Sequence, residues 1–402
     1  MRSLKKQLLI ALYNMEIGGI ERSLINMLDN IDYEQYNVDL LIYQHTGEMM
    51  DLIPDKVNVL PEIHKYSLFR KPVAQCIKEG NLMIPSMRIL SKIIAELKAR
   101  RWRLQEGSGY IQMQLSMKYS TFLLPELSKV YDLAISYAWP HDIIIKKVKA
   151  HKKIAWVHTD YSKLEIDHQQ DLSVWKKFDC IAAVSEECLN SFLKQYPSLK
   201  EKAMVIENVT SPLFITKMAK EISDEIPFLS HHFNLLSVGR LSYVKGFDLA
   251  VNALKQLHEK GLTNIKWYVV GYGGYEQELR EIIGKNELQD SFILLGKKTN
   301  PYQYMKACDL YVQPSRYEGK AVTVTEAMIV GKPVLITDYP TAKSQVTDGY
   351  DGYICELNVN GLVDGIENLY NDVQFRSDLI KNVQGKDYYN GHELEKLYQI
   401  IS

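Results

Sequence analysis

The sequence predicts an α/β protein built from two doubly wound parallel sheets. Short apolar runs bounded by turn residues alternate with longer segments of helical period along the chain, which is typical of β-α-β units. The 402 residues exceed the size at which a single hydrophobic core stops growing, so two domains are expected. Hydrophobic residues make up 46% and charged residues 24% of the chain. This composition is ordinary for a globular protein and excludes a disordered or fibrous one.

The predicted strands are short and strongly apolar, as expected for strands that are buried on both faces of a sheet. The first apolar run follows basic residues, as in a signal peptide, but it leads into Glu16 and a Gly-Gly pair without a small-residue cleavage site, so we expect a strand there. In the first half the predicted strands are Gln7–Leu12, Val38–Tyr43, Leu133–Tyr137, Lys153–Val157, Cys180–Val184 and Met204–Glu207. In the second half they are Asn234–Val238, Lys266–Val270, Ser291–Leu295, Leu310–Gln313 and Pro333–Thr337.

The two halves are separated by residues 208–233, which contain two prolines and scattered charge but no sustained period. Such a segment predicts a linker rather than a helix or strand. We therefore expect an N-terminal domain over residues 1–210 and a C-terminal domain over 211–385. The segment 388–402 has the period of a short amphipathic helix.

Charge and cysteine usage exclude several classes of protein. The 48 basic residues nearly balance the 49 acidic ones, so no nucleic-acid partner is expected. No apolar stretch approaches the roughly 18 residues that a membrane-spanning helix needs, so any membrane contact would be peripheral. The cysteines are far apart and fit neither a disulfide framework nor a zinc site, which indicates a reducing, cytoplasmic location. They are Cys76, Cys180, Cys188, Cys308 and Cys355.

One segment, Lys65–Lys118, carries most of the local basic excess. It holds eleven Lys or Arg against three Glu, with Tyr66, Phe69 and Trp102 interleaved. A basic amphipathic surface of this kind can lie on an anionic membrane. The alternatives are an ordinary solvated helix face and a site for an acidic glycan.

Two glutamates eight residues apart, Glu318 and Glu326, follow a predicted strand. Glu318 is expected in the loop and Glu326 inside a short helix, with Gly319–Val322 leading into that helix. Free backbone N–H groups and the helix dipole would then face the carboxyl ends of the strands, where a diphosphate could bind. Taken alone, two acids at this spacing are more often surface charge.

A second constellation, Arg240 and Lys245, follows the predicted strand at residues 234–238. Both side chains leave the carboxyl end of that strand, so both can reach one pair of phosphates, Arg as a planar fork and Lys as a point charge. No D-x-D motif with neighbouring carboxylates occurs near a strand end. The sequence therefore requires neither a metal nor another cofactor.

Four motifs in this order carry a family resemblance: the Gly18-Gly19 pair, the G-R-L-x-x-x-K-G-F turn that starts at Gly239, the E-x7-E spacing, and the G-K-P-V that follows it. Together they resemble the retaining nucleotide-sugar glycosyltransferases of the GT-B fold, in the large family four, of the polysaccharide-biosynthesis type. The resemblance implies two facing Rossmann-like domains with a central cleft, the acceptor held by the first domain and the donor by the second. It also implies that the last segment, residues 386–402, crosses back to the first domain.

The resemblance also implies roles for individual residues. Arg240 and Lys245 match the pair that neutralises the donor diphosphate, and Glu326 matches the acid that hydrogen-bonds the ribose. Further donor contacts fall on Gly18, Gly19, Gly271, Lys297, Glu318, Gly319, Lys320, Ala321 and Val322. In the first domain, His158 would lie close to the transferred sugar and Asp160 would contact the acceptor.

Two of these positions have structural alternatives, and one departs from the family pattern. The Gly18-Gly19 pair also suits a tight turn, and a lone histidine such as His158 is more often structural than catalytic. Many family members have Phe-Gly or Phe-Pro where this chain has Lys320-Ala321. This departure leaves the identity of the donor sugar open.

The expected activity is therefore metal-independent transfer, with retention, of a hexose-type sugar from a nucleotide diphosphate, UDP in the first instance. The acceptor would be a hydroxyl of a growing glycan or a lipid-linked oligosaccharide. Without an enzymic nucleophile, the departing phosphate would take the acceptor proton while Glu318 and His158 orient the substrates. The alternatives are a nucleotide-sugar epimerase or a glycan phosphorylase on the same fold, and a non-catalytic scaffold or sensor. The presence of all four donor-site residues argues against the scaffold.

Overall fold

The computed structural model describes residues 5–104, 107–221, 226–228 and 230–401. The chain divides into two compact units, unit 1 with residues Met1–Val209 and Asn390–Ser402, and unit 2 with Thr210–Tyr389. Parts of the predicted basic segment (105–106) and of the predicted linker (222–225 and 229) lie outside the described residues, as do the two ends of the chain.

Unit 1 contains a parallel seven-stranded sheet with the strand order β3-β2-β1-β4-β5-β6-β7. Its strands are β1 Lys6–Leu12, β2 Tyr36–Ile42, β3 Asn58–Val59, β4 Val130–Ser136, β5 Lys149–Val157, β6 Cys180–Ala183 and β7 Ala203–Val205. Its helices are α1 Gly19–Asn30, α2 His64–Ser67, α3 Val73–Lys78, α4 Met83–Trp102, α5 Gly109–Ser120, α6 Asp142–Lys147, α7 His168–Trp175 and α8 Glu186–Gln195, joined by 3₁₀ turns at Met50–Leu52, Thr121–Leu123, Tyr161–Lys163 and Pro197–Lys202.

Unit 2 contains a parallel six-stranded sheet with the order β10-β9-β8-β11-β12-β13. Its strands are β8 Phe233–Val238, β9 Ile265–Val270, β10 Phe292–Gly296, β11 Leu310–Gln313, β12 Val334–Thr337 and β13 Tyr353–Cys355. Its helices are α9 Pro212–Lys220, α10 Phe247–Glu259, α11 Glu276–Lys285, α12 Tyr302–Ala307, α13 Val322–Ile329, α14 Ala342–Gln345, α15 Val359–Asn371 and α16 Val373–Gln384, with a 3₁₀ turn at Tyr243–Lys245. The final helix, α17 Glu393–Ile401, belongs to unit 1.

In each sheet the strand order reverses beside the first strand, at β1/β4 in unit 1 and at β8/β11 in unit 2. At such a point the loops that follow the two neighbouring strands run to opposite faces of the sheet and leave a crevice between them. In unit 2, Leu235 pairs with Leu310, so the loops after β8 and β11 leave the sheet side by side. The crevice of unit 2 is therefore lined by residues 239–246 and 314–322.

The sheets form because their strands are apolar throughout and are covered on both faces. Every residue of β8 is buried. Helix α10 covers this sheet with Phe247, Val251 and Leu254, which are fully buried and lie three or four residues apart on one face of the helix. The predicted strands agree with observed ones to within a few residues, because continuous apolar runs are the signature of parallel strands.

The prediction that residues 208–233 form a linker is wrong, because the segment contains helix α9, which packs against α12 and α13. Pro212 occupies the first turn of the helix, where its missing N–H costs nothing, and the Ser211 side chain accepts a hydrogen bond from Phe214 N (3.3 Å). Strands β3 and β13 were not predicted. They have two and three residues, too few to show a period.

The C-terminal helix is shorter than its sequence period indicates, since it begins at Glu393 rather than near residue 388. It packs against the sheet of unit 1. The Tyr398 ring stacks on Tyr36, with 4.6 Å between ring centroids, and Glu207 N donates to Glu393 Oε2 (2.8 Å). The buried side chains Leu394 and Leu397 form its apolar face.

Two aromatic residues of the basic segment lie in the core of unit 1 rather than on its surface. Tyr66 is fully buried and Phe69 is 8% exposed. The prediction of a surface that includes them is therefore wrong, and the exposed apolar residues of the segment lie mainly on α4.

Candidate functional site

Backbone hydrogen bonds continue past the ends of β8, β9 and β10 and hold the loops that follow them close together. Gly239 N donates to Val270 O (3.0 Å), Leu241 N to Tyr272 O (3.0 Å), and Gly271 N to Gly296 O (2.9 Å). A Cβ atom at Gly271 would lie 1.8 Å from Gly239 O, so this contact requires glycine. The predicted donor residue Gly271 thus packs directly against the loop that carries Arg240.

The loop after β8 also contacts the loop after β11. Gly246 adopts a left-handed conformation with φ +69°, and a Cβ there would lie 1.9 Å from Pro314 O. Only glycine allows both this conformation and this approach without strain. The position of Lys245, one residue earlier, is therefore fixed relative to the β11 loop.

Arg316 joins the same two loops through its side chain. Its guanidinium donates to both carboxylate oxygens of Asp248 (2.7 and 2.6 Å) and to Tyr243 O (2.7 Å), and it lies 3.9 Å from the centre of the Tyr243 ring. A bidentate arginine–carboxylate pair fixes orientation as well as distance. Arg316 therefore fixes the loop after β11 against the loop after β8 and the first turn of α10.

Lys245 and Glu318 meet at this crevice. Glu318 is 8% exposed, and its Oε1 atom accepts hydrogen bonds from Lys245 Nζ (2.6 Å), Ser315 Oγ (2.6 Å) and Gln313 Nε2 (3.0 Å). Within the described ranges Glu318 Oε2 accepts no hydrogen bond. The carboxylate is thus held by one oxygen and keeps the other available for a ligand hydroxyl.

The first turn of α13 lies next to Glu318 and has no side-chain cap. Ala321 N donates to Gln345 Oε1 (2.9 Å) and Gln345 Nε2 donates to Ala321 O (3.1 Å), while Thr341 Oγ1 donates to Glu318 O (2.9 Å). These bonds fix the backbone at Glu318 and Ala321 against Thr341 and helix α14. The N–H groups of Val322 and Thr323 donate to no acceptor in the described part of the chain, and such groups at a helix N-terminus attract anions.

Glu326 lies on the buried side of α13. It is 0% exposed, and its Oε1 atom accepts a hydrogen bond from the Tyr302 hydroxyl (3.0 Å). The structure thus places the two glutamates of the E-x7-E spacing on one segment but in different surroundings. The contact of Glu326 with a ribose remains a prediction.

Three further cations predicted for the donor site differ in their environment. Arg240 is exposed, and among the described residues its side chain forms no ion pair. Lys297 Nζ lies 5.2 Å from the centre of the Tyr272 ring, which links the loops after β9 and β10. Lys320 is exposed at the approach to α13.

The predicted residues of unit 1 occupy two loops at the carboxyl ends of its strands. Gly18 is the N-cap of α1 in an extended conformation, and a Cβ there would lie 2.3 Å from Glu21 Oε2, whereas a Cβ at Gly19 would meet nothing within 4 Å. Asp160 caps the 3₁₀ turn Tyr161–Lys163 by accepting a hydrogen bond from Ser162 N (2.9 Å). This local bond gives Asp160 a structural role, and its contact with an acceptor remains a prediction.

His158 follows β5 and is held by the loop after β4. Its Nε2 atom donates to Tyr137 O (2.7 Å), and its ring centroid lies 4.8 Å from that of Tyr137. Burial lowers the pKa of His158 to about 4. The imidazole is therefore neutral at pH 7, with Nδ1 as its acceptor.

Several residues that build the site were not predicted from the sequence: Gln313, Ser315, Arg316, Thr341 and Gln345. Gln313 and Ser315 offered one signal, since they are polar residues directly after an apolar strand. The other three contribute through contacts with distant segments, which no local pattern shows.

Within the described ranges, no group of three or more His, Cys, Asp or Glu side chains is arranged to hold a metal ion. No helix of that part of the chain is long and apolar enough to cross a bilayer.

Comparison with known proteins identifies a family and several proteins to which this chain is similar in sequence. Residues 219–386 match the family described as glycosyl transferases group 1. The chain is 28% identical to an uncharacterized glycosyltransferase of Methanocaldococcus jannaschii over 193 residues. This aligned region covers 47% of this chain and 46% of the relative. It is 26% identical over 205 residues, 50% of this chain and 54% of the relative, to the N-acetylgalactosamine-N,N'-diacetylbacillosaminyl-diphospho-undecaprenol 4-alpha-N-acetylgalactosaminyltransferase of Campylobacter jejuni.

The crystal structure of HepE from Anabaena in complex with UDP and glucose has the same fold, with a TM-score of 0.65 over 98% of this chain and 99% of HepE at 17% sequence identity. The predicted α/β fold class with two Rossmann-like parallel-sheet domains, as in GT-B glycosyltransferases, is therefore confirmed. The residues that match glycosyl transferases group 1, 219–386, lie within unit 2. The matched region spans about half the length of the two curated relatives.

Proposed function

We propose that this protein is a retaining glycosyltransferase that moves a hexose-type sugar from a UDP-sugar to a hydroxyl of a growing glycan or lipid-linked oligosaccharide. One observation carries the proposal: the Lys245–Glu318 pair, held rigidly beside the free first turn of α13, in a domain that matches glycosyl transferases group 1. This arrangement places a cation and backbone donors next to a carboxylate at the strand-order reversal.

Cleavage of the anomeric C–O bond places negative charge on the departing diphosphate and positive charge on the sugar. Lys245 and Arg240 would stabilise the diphosphate, as a metal ion does in other enzymes, and we propose that no metal takes part. Glu318 Oε2 would accept a hydroxyl of the sugar, and its negative charge would stabilise the developing positive charge. Since Gly246, Arg316 and the contacts of Gln345 fix these groups in advance, little reorganisation is needed at the transition state.

Retention without an enzymic nucleophile requires attack on the same face from which the diphosphate leaves. The acceptor hydroxyl would then give its proton to the departing phosphate oxygen as the new C–O bond forms. Neutral His158 would orient the sugar rather than carry the proton, because its pKa lies near 4. Glu326 would hold the ribose, with Gly18, Gly19, Gly271 and Lys297 lining the donor site.

The relatives favour this choice of substrates. HepE was crystallised with UDP and glucose, and the Campylobacter relative is named for transfer to a diphospho-undecaprenol glycan. We therefore propose a UDP-sugar as donor and an acceptor on the cytoplasmic side of a membrane. The five cysteines are free and buried, which is compatible with a reducing setting.

The test is a turnover assay with UDP-sugars and a panel of glycan and lipid-linked acceptors in EDTA, with the anomeric configuration of donor and product read by NMR. The proposal predicts product with the donor's configuration. Glu318→Gln should lose at least a hundredfold in kcat, which is the usual cost of removing one preset electrostatic group. Glu278→Gln, an exposed glutamate on α11, is the matched control and should retain full activity.

Each alternative has its own outcome in that assay. Interconversion of the donor sugar without acceptor would show an epimerase, phosphate-dependent release of sugar from a glycan would show a phosphorylase, and donor binding without turnover would show a scaffold or sensor. An inverted product would contradict the retaining mechanism while leaving the transferase intact.

A further inference from the structure

Helix α4 is the longest helix in the described part of unit 1, and its rotation about its axis is fixed. Its buried face, centred on Ala95, packs against Ile111 of α5. Lys98 Nζ pairs with Asp167 Oδ2 at 2.5 Å, and Arg88 Nη1 donates to two loop carbonyl oxygens at 2.6 and 2.7 Å. These contacts determine which side of α4 faces solvent.

The solvent side of α4 is apolar. Residues 83, 90 and 97 lie seven apart, and residues 89, 93 and 97 lie four apart, so they form one stripe along the helix. These side chains and the preceding Leu82 are 45% to 63% exposed. We call this surface the α4 face; it comprises Leu82, Met83, Ile89, Leu90, Ile93 and Leu97. Single exposed apolar residues are ordinary, but a contiguous stripe of this kind marks an interaction surface.

The α4 face is bordered by cations. Lys92, Arg100, Arg101 and Arg103 are exposed, and within the described ranges none of them pairs with an acid. Arg100 and Arg101 lie beside the C-terminal end of the stripe, three and four residues beyond Leu97. The surface therefore combines an apolar strip with a cluster of exposed cations at one end.

We propose that the α4 face docks on an anionic lipid bilayer, with the helix lying in the membrane plane and the apolar side chains inserted among the lipid headgroups. The apolar stripe supplies burial, and the four cations complement acidic headgroups. An acidic glycan would account for the cations but not for six exposed apolar side chains. A second copy packed through the same face would cover the apolar stripe but would add its own four cations to the interface. The inference is independent of the proposed enzymatic activity.

The test is flotation of the full chain with phosphatidylcholine vesicles and with vesicles of equal parts phosphatidylcholine and phosphatidylglycerol. Binding is expected to the anionic vesicles and to weaken as salt is raised. Arg100→Gln/Arg101→Gln/Arg103→Gln should weaken binding roughly a hundredfold, because each basic residue near the surface contributes about a fivefold effect. The matched variant Lys149→Gln/Lys194→Gln/Lys200→Gln removes three exposed lysines elsewhere in unit 1 and should have a much smaller effect.

Ile93→Glu/Leu97→Glu should abolish flotation, whereas Leu213→Glu, at a side chain that is 85% exposed on α9, should not. Because all three side chains are at least half exposed, these variants should fold, which circular dichroism checks. Equal binding to neutral and anionic vesicles, or unchanged flotation of Ile93→Glu/Leu97→Glu, would overturn the proposal. It would also be overturned by a dimer that Ile93→Glu/Leu97→Glu dissociates, or by binding to an acidic glycan without any binding to vesicles.

Discussion

The ion pair between Lys245 and Glu318 is predicted to stabilise unit 2 as well as to prepare the donor site. At 2.6 Å and an effective dielectric constant of about 20, the attraction is about 6 kcal/mol, of which desolvation of the two groups cancels the larger part. Lys245→Met leaves a carboxylate that is 8% exposed without its cation. Since the Lys245 side chain is 23% exposed, we expect the lower end of the cost of breaking a buried pair, about 3 kcal/mol.

The assay is a double-mutant cycle with Lys245→Met, Glu318→Gln and the double variant. Unfolding in urea is followed by hydrogen exchange of peptides from unit 2, which separates its unfolding free energy from that of unit 1. A coupling energy of about 1 to 3 kcal/mol is expected, because each single variant strands the other partner and the double variant strands neither. If the two single effects add to within about 0.5 kcal/mol, the pair is not coupled in solution, and the described geometry of the site is refuted.

Three further perturbations test the supports of the site and the state of the histidine. Gly246→Ala should destabilise unit 2 by several kcal/mol because its Cβ meets a carbonyl oxygen at 1.9 Å, whereas Gly349→Ala, with a similar φ and open space, should cost about 1 kcal/mol; equal costs in urea unfolding would contradict the close contact. Arg316→Ala should cost about 2 kcal/mol and weaken donor binding, while Arg280→Ala, in an exposed ion pair, should change stability by less than 1 kcal/mol. The pKa of His158 is about 4 in the folded chain and about 6.5 in the unfolded chain. Between these two pH values His158 binds a proton when the chain unfolds, so unit 1 loses stability as pH falls from 6.5 towards 4. His158→Gln should reduce that loss by about 3 kcal/mol, and an unchanged pH profile would show that the ring is not buried neutral.

The fold was predictable because its strands are continuous apolar runs, a local signal that survives without tertiary information. Helix α9 was missed although Ser211-Pro212 is a helix start signal, because the prolines and charges around it have the composition of a linker. Tyr66 shows the limit of composition, since a basic segment reveals its exposed side only once its helices are packed.

The candidate site was predictable as far as its motifs extend. Arg240, Lys245 and Glu318 stand out because polar residues at the ends of parallel strands meet at one edge of the sheet. The ion pair of Lys245 with Glu318 joins residues 73 apart in the chain, and the hydrogen bond from Ala321 to Gln345 joins residues 24 apart. Such contacts depend on how the strands are ordered in the sheet, which the sequence pattern does not contain.

The most direct test of the account is calorimetric titration of UDP into the chain in EDTA, compared with Arg240→Gln. Arg240 is exposed and unpaired in the described part of the chain, so its replacement should change binding without changing stability. The account predicts UDP binding without metal and a loss of about ten- to hundredfold in affinity for Arg240→Gln, the effect of one charged hydrogen-bond donor. Arg280→Gln should bind like the unaltered chain. No binding of UDP, or equal binding by Arg240→Gln, would contradict the proposed diphosphate site.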